Sequence, residues 1–509
     1  MALLRAAATI GSLTMVSRVV GLARDMLVAA FLGAGPMADA FVVAFKLPNF
    51  LRRLFAEGAF SAGFVPLFAA TLESEGKAEA RRFAAEAQAM LAAVLIPIVV
   101  LAIVFMPAVL TVVAPGYEPG SLTYETAVEL SRITFPYIIF ISAAALLGGV
   151  LNSVGNFAAP ALAPVMLNVC LIAALFLALP LDVPPAYALA WGIIAAGITQ
   201  FGWLYLSARR ARLAPYPVRP RLSLKARRLY MLILPGVFGA SVAQINLLAD
   251  VFFASFLPAG GQSYLYYANQ LNQLPLGVIG VAVGTALLPL LARQIAAGQD
   301  EAAQHNLNRA IELSLFLTLP AAVALVAIGH PIVAVLFERG AFDASDTAAT
   351  VATLQAYALG LPAFVLIKVL APGFFARQDT RTPVIIATAC LLSNIALVYV
   401  LIGPLLHVGI ALASAISNSL NAVLLAVVLA RRGHLVIDAR LRRRLPRILL
   451  AGAIMGLGLW GLDAALAALP PIASLIVLVA AGFTGFVAVV HVTGGADLRE
   501  VLGLMRRRA

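Results

Sequence analysis

Long apolar stretches alternate with short polar connections along the whole chain. Stretches of about twenty mainly apolar residues recur, and this is the length a helix needs to cross a membrane. The pattern predicts an all-α polytopic membrane protein with about fourteen spanning helices and no folded domain outside the membrane. The approximate helix centres are Val20, Ser61, Val99, Phe140, Cys170, Ile194, Val242, Gly280, Leu317, Ala358, Leu391, Ser417, Gly456 and Ala480.

An internal repeat divides the chain. The run FVPLFAATLESEGKAEA resembles LLPLLARQIAAGQDEAA, so that Pro66 corresponds to Pro289, 223 residues later. Further on, FMPAVLTVVAPG resembles GHPIVAVLFERG, which aligns a second pair of prolines. Six predicted segments separate the copies, so both halves keep one orientation, as in transporters built from parallel repeats. We expect an N-terminal lobe at 1–215, a C-terminal lobe at 216–435, and helices 13 and 14 with a basic tail at 436–509.

The charge distribution predicts the topology. Of the 509 residues, 62% are hydrophobic, mean hydropathy is +0.99, and 35 Lys and Arg against 23 Asp and Glu give a net charge of +12. The basic residues cluster in the connections between apolar segments, so topology and anionic lipid explain them better than nucleic acid. The even-numbered connections and the C-terminal tail hold most of them. We therefore expect a multi-pass membrane protein with both termini cytoplasmic and no cleaved signal peptide.

Motifs for enzyme chemistry are missing from the sequence. It contains no GxxxxGK[ST] phosphate loop and no HExxH, and its five histidines are scattered. No cluster of Cys and His has the spacing of a zinc site. We expect neither a catalytic activity nor a bound cofactor.

The first apolar segment carries charges at membrane depth. Arg18, Arg24 and Asp25 lie within it. Such charges are costly unless they face a partner or a water-filled cavity. At about 100° per residue, Arg18, Gly21 and Asp25 share one helical stripe. Ser17, Gly21 and Arg24 share the adjoining stripe, and Gly21 allows a ligand or a neighbouring backbone to come close.

The next segment adds Arg52, Arg53 and Glu57. We expect Pro48 to interrupt this helix, because opened backbone at membrane depth is tolerated where it lines a cavity. The two segments together hold four arginines and two carboxylates, which favours an anionic substrate. The planar, always charged arginine side chain suits a phosphate or diphosphate. The alternative is a pair of internal salt bridges.

These residues also carry a resemblance. The run SLTMVSRVVGLARDMLVAAFLGAGPMADAFVVAFKLPNFLRRLFAEGAFSAGFVPLF resembles the MurJ (MviN) lipid II flippases of the MOP transporter superfamily. The similarity continues through ITFPYIIFIS, APALAPVMLN, QLPLGVIGVAVGTALLP and KVLAPGFFARQDTRTPV, and it covers essentially the whole chain. It implies a V-shaped fold of two six-helix lobes, with two further helices that form a groove for the lipid tail. It also implies transport of lipid II from the inner to the outer leaflet of the bacterial inner membrane by alternating access.

The resemblance implies a substrate site. Its cavity positions correspond here to Arg18, Arg24, Asp39, Arg53 and Glu57, with Ser17 and Gly21 beside them, and the charge pattern adds Arg52 and Asp25. One position departs: the family has a YADR-like run in the eighth segment, whereas this chain has amides at Asn269 and Gln270. We expect Gln270 still to meet the substrate, through neutral hydrogen bonds.

The sequence also suggests an energy source and partners. Asp250 and Asn394 are a candidate site for a monovalent cation, and the membrane potential is the other candidate energy source. For Asp250, a hydrogen bond to a neighbouring amide is an equal alternative. Lipid II and membrane lipids are the expected partners, with the protein a monomer that works beside cell-wall synthesis proteins.

Three other functions remain open at this point. The first is export of another polyprenyl-diphosphate-linked glycan. The second is multidrug or cation antiport within the same superfamily, which the sign of the cavity charge disfavours. The third is a non-transporting scaffold for cell-wall synthesis, which would have no need of buried arginines.

Overall fold

The computed structural model describes residues 2–52, 59–221, 223, 225, 227–229, 231 and 248–495, with side chains at 2–8, 59–62 and 278–286 left undescribed. Its regular elements in these ranges are helices, which confirms the predicted all-α class. Two predicted site residues, Arg53 and Glu57, lie outside the described residues.

Sixteen α-helices follow one another in the described ranges. They are α1 (Ala2–Leu32), α2 (Pro36–Arg52), α3 (Ala59–Ser74), α4 (Gly76–Val104), α5 (Met106–Val113), α6 (Leu122–Thr134), α7 (Tyr137–Ser153), α8 (Ala158–Ala178), α9 (Pro185–Arg210), α10 (Gly261–Ala296), α11 (Asp300–Ala327), α12 (Gly329–Phe337), α13 (Ala344–Phe375), α14 (Arg381–Arg431), α15 (Ala439–Ala465) and α16 (Pro471–Thr493). A further helical segment spans 248–254.

Most of these helices have the length and composition of membrane-spanning helices. In the ranges above, nine helices are long and apolar enough to cross a membrane, with α6 and α7 counted as one span. The long helix α14 contains two predicted segments, because the backbone at Leu406 leaves the helical region with φ 48° and ψ −128°. The chain is therefore a multi-pass membrane protein.

The element order repeats as the sequence predicted. A long helix, α4, is followed by the short helix α5, and the same succession recurs in α11 and α12. Pro107 lies in the first turn of α5 and Pro331 in the first turn of α12, where a missing N–H is harmless. The aligned prolines thus mark equivalent positions in two structural copies.

Packing divides the chain into two compact units. The first comprises residues 1–263 with 339–342, and the second comprises 264–338 with 343–509. In the second unit, α15 and α16 pack against each other and against α11. The predicted lobe boundaries at 215 and 435 remain a prediction.

A short loop completes the first unit. The N–H of Ala341 donates to the carbonyl of Ala30 at 2.8 Å. Gly33 and Gly340 both have positive φ, at 64° and 61°. A Cβ on Gly33 would lie 2.3 Å from the oxygen of Ala341, and one on Gly340 would lie 2.2 Å from that of Ala30. Only glycine fits at either position.

The prediction that Pro48 interrupts its helix is wrong, since α2 continues through it to Arg52. A proline has no N–H to give to the carbonyl four residues earlier. Here the hydroxyl of Thr134 donates to that carbonyl, on Ala44, at 2.8 Å. The next carbonyl, on Phe45, accepts from Nδ2 of Asn49 at 2.8 Å. Side chains thus replace or supplement the backbone hydrogen bonds, and the helix stays closed.

Candidate functional site

Arg24 lies in a buried polar cluster within α1. Its Nε and Nη2 donate to Oδ1 of Asp25 at 3.0 and 2.5 Å, and Nη1 donates to Oδ1 of Asn168 at 2.8 Å. The guanidinium carbon lies 5.9 Å from the centroid of the Phe45 ring. Arg24 is 7% exposed and Asp25 is 3% exposed. The two residues form the internal ion pair that the sequence left open as an alternative.

Asn168 joins α8 to α1. Its Nδ2 donates to the backbone oxygen of Ser17 at 3.1 Å, while its Oδ1 accepts from Arg24. It comes this close because residue 21 is glycine: a Cβ on Gly21 would lie 3.2 Å from Nδ2. The group that approaches Gly21 is therefore the side chain of Asn168.

Phe45 connects this cluster to α2. Its ring faces Arg24, and its carbonyl accepts from Asn49, whose Oδ1 accepts from Nε of Arg52 at 3.1 Å. Arg52 is thus oriented by a side chain one turn earlier. Arg18 lies partly exposed on α1. The structure therefore links Arg24 and Arg52 through a short series of contacts.

Asp39 binds a turn rather than solvent. Its Oδ2 accepts from the N–H of Gly260 at 2.7 Å, and its Oδ1 accepts from the N–H and Oγ of Ser263 at 2.8 and 2.6 Å. These amides belong to the start of α10, where N–H groups have no partner within the helix and the helix dipole favours an anion. Asp39 thus caps α10 from α2. Its predicted contact with substrate stays a prediction.

Lys46 adds a cation that the sequence analysis missed. It interacts electrostatically with Asp250, in the helical segment 248–254, and with Asp39. A spacing of seven residues from Asp39 places Lys46 on the same stripe of α2, and this spacing could have revealed it. Asn394, the other residue of the predicted cation site, is buried in the second unit. The described residues contain no group of three or more His, Cys, Asp or Glu that could hold a metal ion.

Comparison with known proteins settles the family. The model of the family described as lipid II flippase MurJ matches residues 28–479. The chain belongs to the MurJ family. A probable lipid II flippase MurJ of Rhizobium tropici is 44% identical, over 90% of this chain and 86% of the relative. The corresponding protein of Rhizobium meliloti is 42% identical, over 100% of this chain and 97% of the relative.

Solved structures agree with this assignment. A lipid II flippase MurJ in an inward closed conformation has a TM-score of 0.80 and 26% identity, covering 95% of this chain and 98% of that one. An inward-facing multidrug resistance MATE family transporter of the MOP superfamily has a TM-score of 0.67 at 16% identity, covering 84% and 98%. The second likeness shows a shared fold alone. The predicted MurJ family is confirmed.

The departure from the MurJ pattern lies on α10. Asn269 and Gln270 are partly exposed there, and Gln273 is exposed. The preceding Tyr267 is buried, with its ring centroid 5.2 Å from that of Phe337. Tyr267 therefore anchors the buried face of α10: at about 100° per residue, Asn269 and Gln273 point away from that face, whereas Gln270 lies only about 60° from Tyr267. Whether these amides contact substrate stays a prediction.

Asn168 is the other residue that sequence reasoning missed. It lies in APALAPVMLN, a run already noted for its resemblance to MurJ proteins. A single amide in a long apolar helix is a signal in itself, because such a group needs a partner within the membrane. That partner could have been sought among the charged residues of the first segment.

Proposed function

We propose that this protein moves lipid II from the inner to the outer leaflet of the bacterial inner membrane by alternating access. Membership of the MurJ family carries the proposal. The observation that gives it a chemical basis is the buried Arg24, held in place by Asp25 and Asn168.

A diphosphate matches the chemistry of this region. Between residues 9 and 52 the chain has four cationic side chains and two carboxylates. Arg18, Arg24 and Arg52 supply guanidinium groups, which donate two parallel hydrogen bonds to phosphate oxygens. Because Asp25 and Asn168 already orient Arg24, less freedom is lost when the substrate binds. The remaining predicted contacts are Arg53, Glu57, Asp39, Ser17, Gly21 and Gln270.

The excess of positive charge separates this proposal from cation antiport. The fold is shared with multidrug MATE transporters, so fold alone does not decide. A site for an organic cation needs an excess of carboxylates, and α1 and α2 carry the opposite balance. An exporter of another polyprenyl-diphosphate-linked glycan would use the same arginines, so the glycan must be distinguished by experiment.

Orientation, coupling and partners belong to the same proposal. Both termini face the cytoplasm, because the basic connections then lie on the cytoplasmic side. The protein works as a monomer without enzymatic activity or nucleic acid, in contact with membrane lipids and beside cell-wall synthesis proteins. Its energy comes from the membrane potential or from a monovalent cation bound near Asp250, in the first unit.

Depletion in the native cell tests the proposal. Lipid II exposed at the outer leaflet is measured with an impermeant probe, before and after depletion, in cells without a second flippase. We expect exposure to fall while total lipid II rises, and wild-type protein to restore both. Another lipid-linked glycan is followed in parallel. Unchanged lipid II exposure together with loss of the other glycan would assign the protein to that glycan.

A further inference from the structure

A groove between α4 and α9 lies apart from the site described above. A cavity of about 380 Å³ in this groove adjoins a deeper one of about 140 Å³, and Gln88, Ala92 and Phe201 line both. Both helices pack against α7. The floor of the deeper cavity is formed by α7 residues Ile139, Phe140 and Ala143. The larger volume falls within the range of about 300–1,000 Å³ for small-molecule sites.

The walls of this α4–α9 groove suit a hydrocarbon chain. On α4, Ala85, Ala89 and Ala92 follow one helical stripe, so small side chains leave room. On α9, Phe201 and Tyr205 are four residues apart and present aromatic rings. The lining is therefore mainly apolar, with few polar groups.

Gln88 brings a buried polar side chain into the lining of the groove. Its Oε1 is buried and has no hydrogen-bond partner in the part of the chain that the structure describes. A buried acceptor without a donor costs about 1–3 kcal/mol. An occupant that brings ordered water or a polar linkage to this depth would relieve the cost.

The mouth of the groove is lined by residues 215–218, and arginines flank it. Arg81 lies one turn before Ala85, and Arg209 lies one turn after Tyr205, so both wall stripes end in arginine. Arg81 is fixed by its Nε, which donates to the carbonyl of Ala214 at 2.7 Å, and by the Tyr216 ring 5.0 Å away. In the proposed orientation this end faces the cytoplasmic leaflet, where anionic head groups attract arginine.

We propose that the α4–α9 groove binds one anionic phospholipid of the cytoplasmic leaflet. One acyl chain lies along the alanine stripe of α4, and the phosphate meets Arg81 and Arg209. Gln88 lies seven residues from Arg81, about 10 Å along the helix. Ordered water that accompanies the lipid into the groove donates to Oε1 of Gln88. The site thus recognises the charge at the mouth and the chain in the groove.

Photolabelling of the full-length wild-type protein tests the site directly. Vesicles contain phosphatidylglycerol with a photoreactive group on one acyl chain, and labelled peptides are mapped. We expect labels concentrated at 85–92 of α4 and at 201–205 of α9, with much weaker labelling by phosphatidylcholine carrying the same chain. Labelling at equal intensity by both lipids, or spread over the lipid-exposed faces, would overturn the proposal.

Matched variants measure the contribution of the arginines at the mouth separately from that of the apolar groove. Ala89→Phe fills the groove and should abolish these labels, whereas Ala93→Phe, on the exposed face of the same helix, should not. Arg81→Gln should lower phosphatidylglycerol labelling about fivefold. Arg82→Gln is the control, because Arg82 pairs with Glu86 on the helix surface.

A photoreactive lipid II serves as the competitor. If lipid II labels the groove and displaces phosphatidylglycerol from it, the occupant is the substrate tail and the proposal fails. If phosphatidylglycerol labels the groove whether or not lipid II is present, the phospholipid site stands. The wild-type labelling decides even if Ala89→Phe does not fold.

Discussion

The Arg24 guanidinium donates to oxygens of Asp25 and Asn168, and a substitution that breaks these contacts should destabilise the fold. Removing Arg24 alone takes away a cation 2.5 Å from the buried Asp25 carboxylate, and breaking a buried ion pair costs about 3–5 kcal/mol. A loss of function in Arg24→Ala therefore does not by itself show substrate binding. The residue must be tested together with its partner.

A paired substitution separates the two roles. We expect Arg24→Gln to unfold at a clearly lower temperature, and Arg24→Gln with Asp25→Asn to recover most of that loss because both charges are gone. Transport should stay lost in the double variant, since no guanidinium remains for the diphosphate. Thermal unfolding in detergent and complementation of a depletion strain measure the two effects. Normal complementation by the double variant would make Arg24 a counter-ion and nothing more.

Gln270 should matter less than Arg24. As a neutral amide it contributes a single hydrogen bond of about 0.5–1.5 kcal/mol, so Gln270→Ala should lower transport by no more than about tenfold. Gln270→Arg with Asn269→Asp, which restores the family pattern, should be tolerated. Lipid II exposure at the outer leaflet provides the measurement. A complete loss in Gln270→Ala would contradict this expectation.

Among the elements, α2 shows what a sequence pattern cannot reveal. Pro48 signals a broken helix, and local sequence gives no hint that Thr134, 86 positions later, donates to the carbonyl left free. By contrast, the stripe of Arg18, Gly21 and Asp25 needed only helical periodicity. Features within one helix were predictable, whereas those that depend on a partner from another helix were not.

A double-mutant cycle tests whether the Thr134 hydroxyl replaces the backbone hydrogen bond that Pro48 cannot make. Thr134→Val leaves the buried carbonyl of Ala44 unsatisfied and should destabilise the protein by about 1–3 kcal/mol. In a Pro48→Ala background the restored N–H serves that carbonyl, so the same change should cost much less. Thr126→Val is the control, because the Thr126 hydroxyl donates to a weak acceptor, the sulfur of Met37, at 3.5 Å. Equal losses in both backgrounds would refute the account.

The start of α14 depends on a carboxylate. Asp379 accepts from the Thr382 N–H at 3.0 Å and from Arg432 at 2.6 Å. Hydrogen bonds from the Thr382 side chain and backbone, and then from Arg432, lower the pKa of Asp379 well below its usual range. A lowered folded-state pKa stabilises the protein above the unfolded value of about 3.9, and this stabilisation is lost as pH falls below that value.

This gives a pH-dependent expectation. Asp379→Asn should lower the unfolding temperature at pH 7, with a cost of about 1 kcal/mol as for a helix cap, and the difference from wild type should shrink below pH 4. Thr382→Val should remove part of the same pH dependence. Thermal unfolding across this pH range provides the measurement. A constant difference at every pH would show that the charge is irrelevant.

For the whole molecule, the distribution of basic residues makes the topology testable. Reporter fusions after Arg82, Arg228 and Arg447 should score cytoplasmic. Fusions near Gly116, Gly261 and Pro404 should score periplasmic, since the arginine-rich connections stay inside. Opposite results at two of these six positions would overturn the orientation.

Fold class and repeat followed from hydropathy and a few aligned prolines, because both depend on patterns local in sequence. The division into units did not follow, since residues 339–342 join a unit whose main part ends at residue 263. Backbone contacts such as that between Ala341 and Ala30 carry no sequence signature beyond two glycines.

That inserted loop also sets an order of events during biosynthesis. The first unit lacks its last four residues until the ribosome has made the 79 residues from 264 to 342. At about 5–20 residues per second, this takes about 4–16 s. During that interval the carbonyl of Ala30 lacks the hydrogen bond from the N–H of Ala341, and the loop is not yet packed against Gly33. The nascent first unit therefore stays incomplete during this interval, and its completion is timed by translation of the second unit.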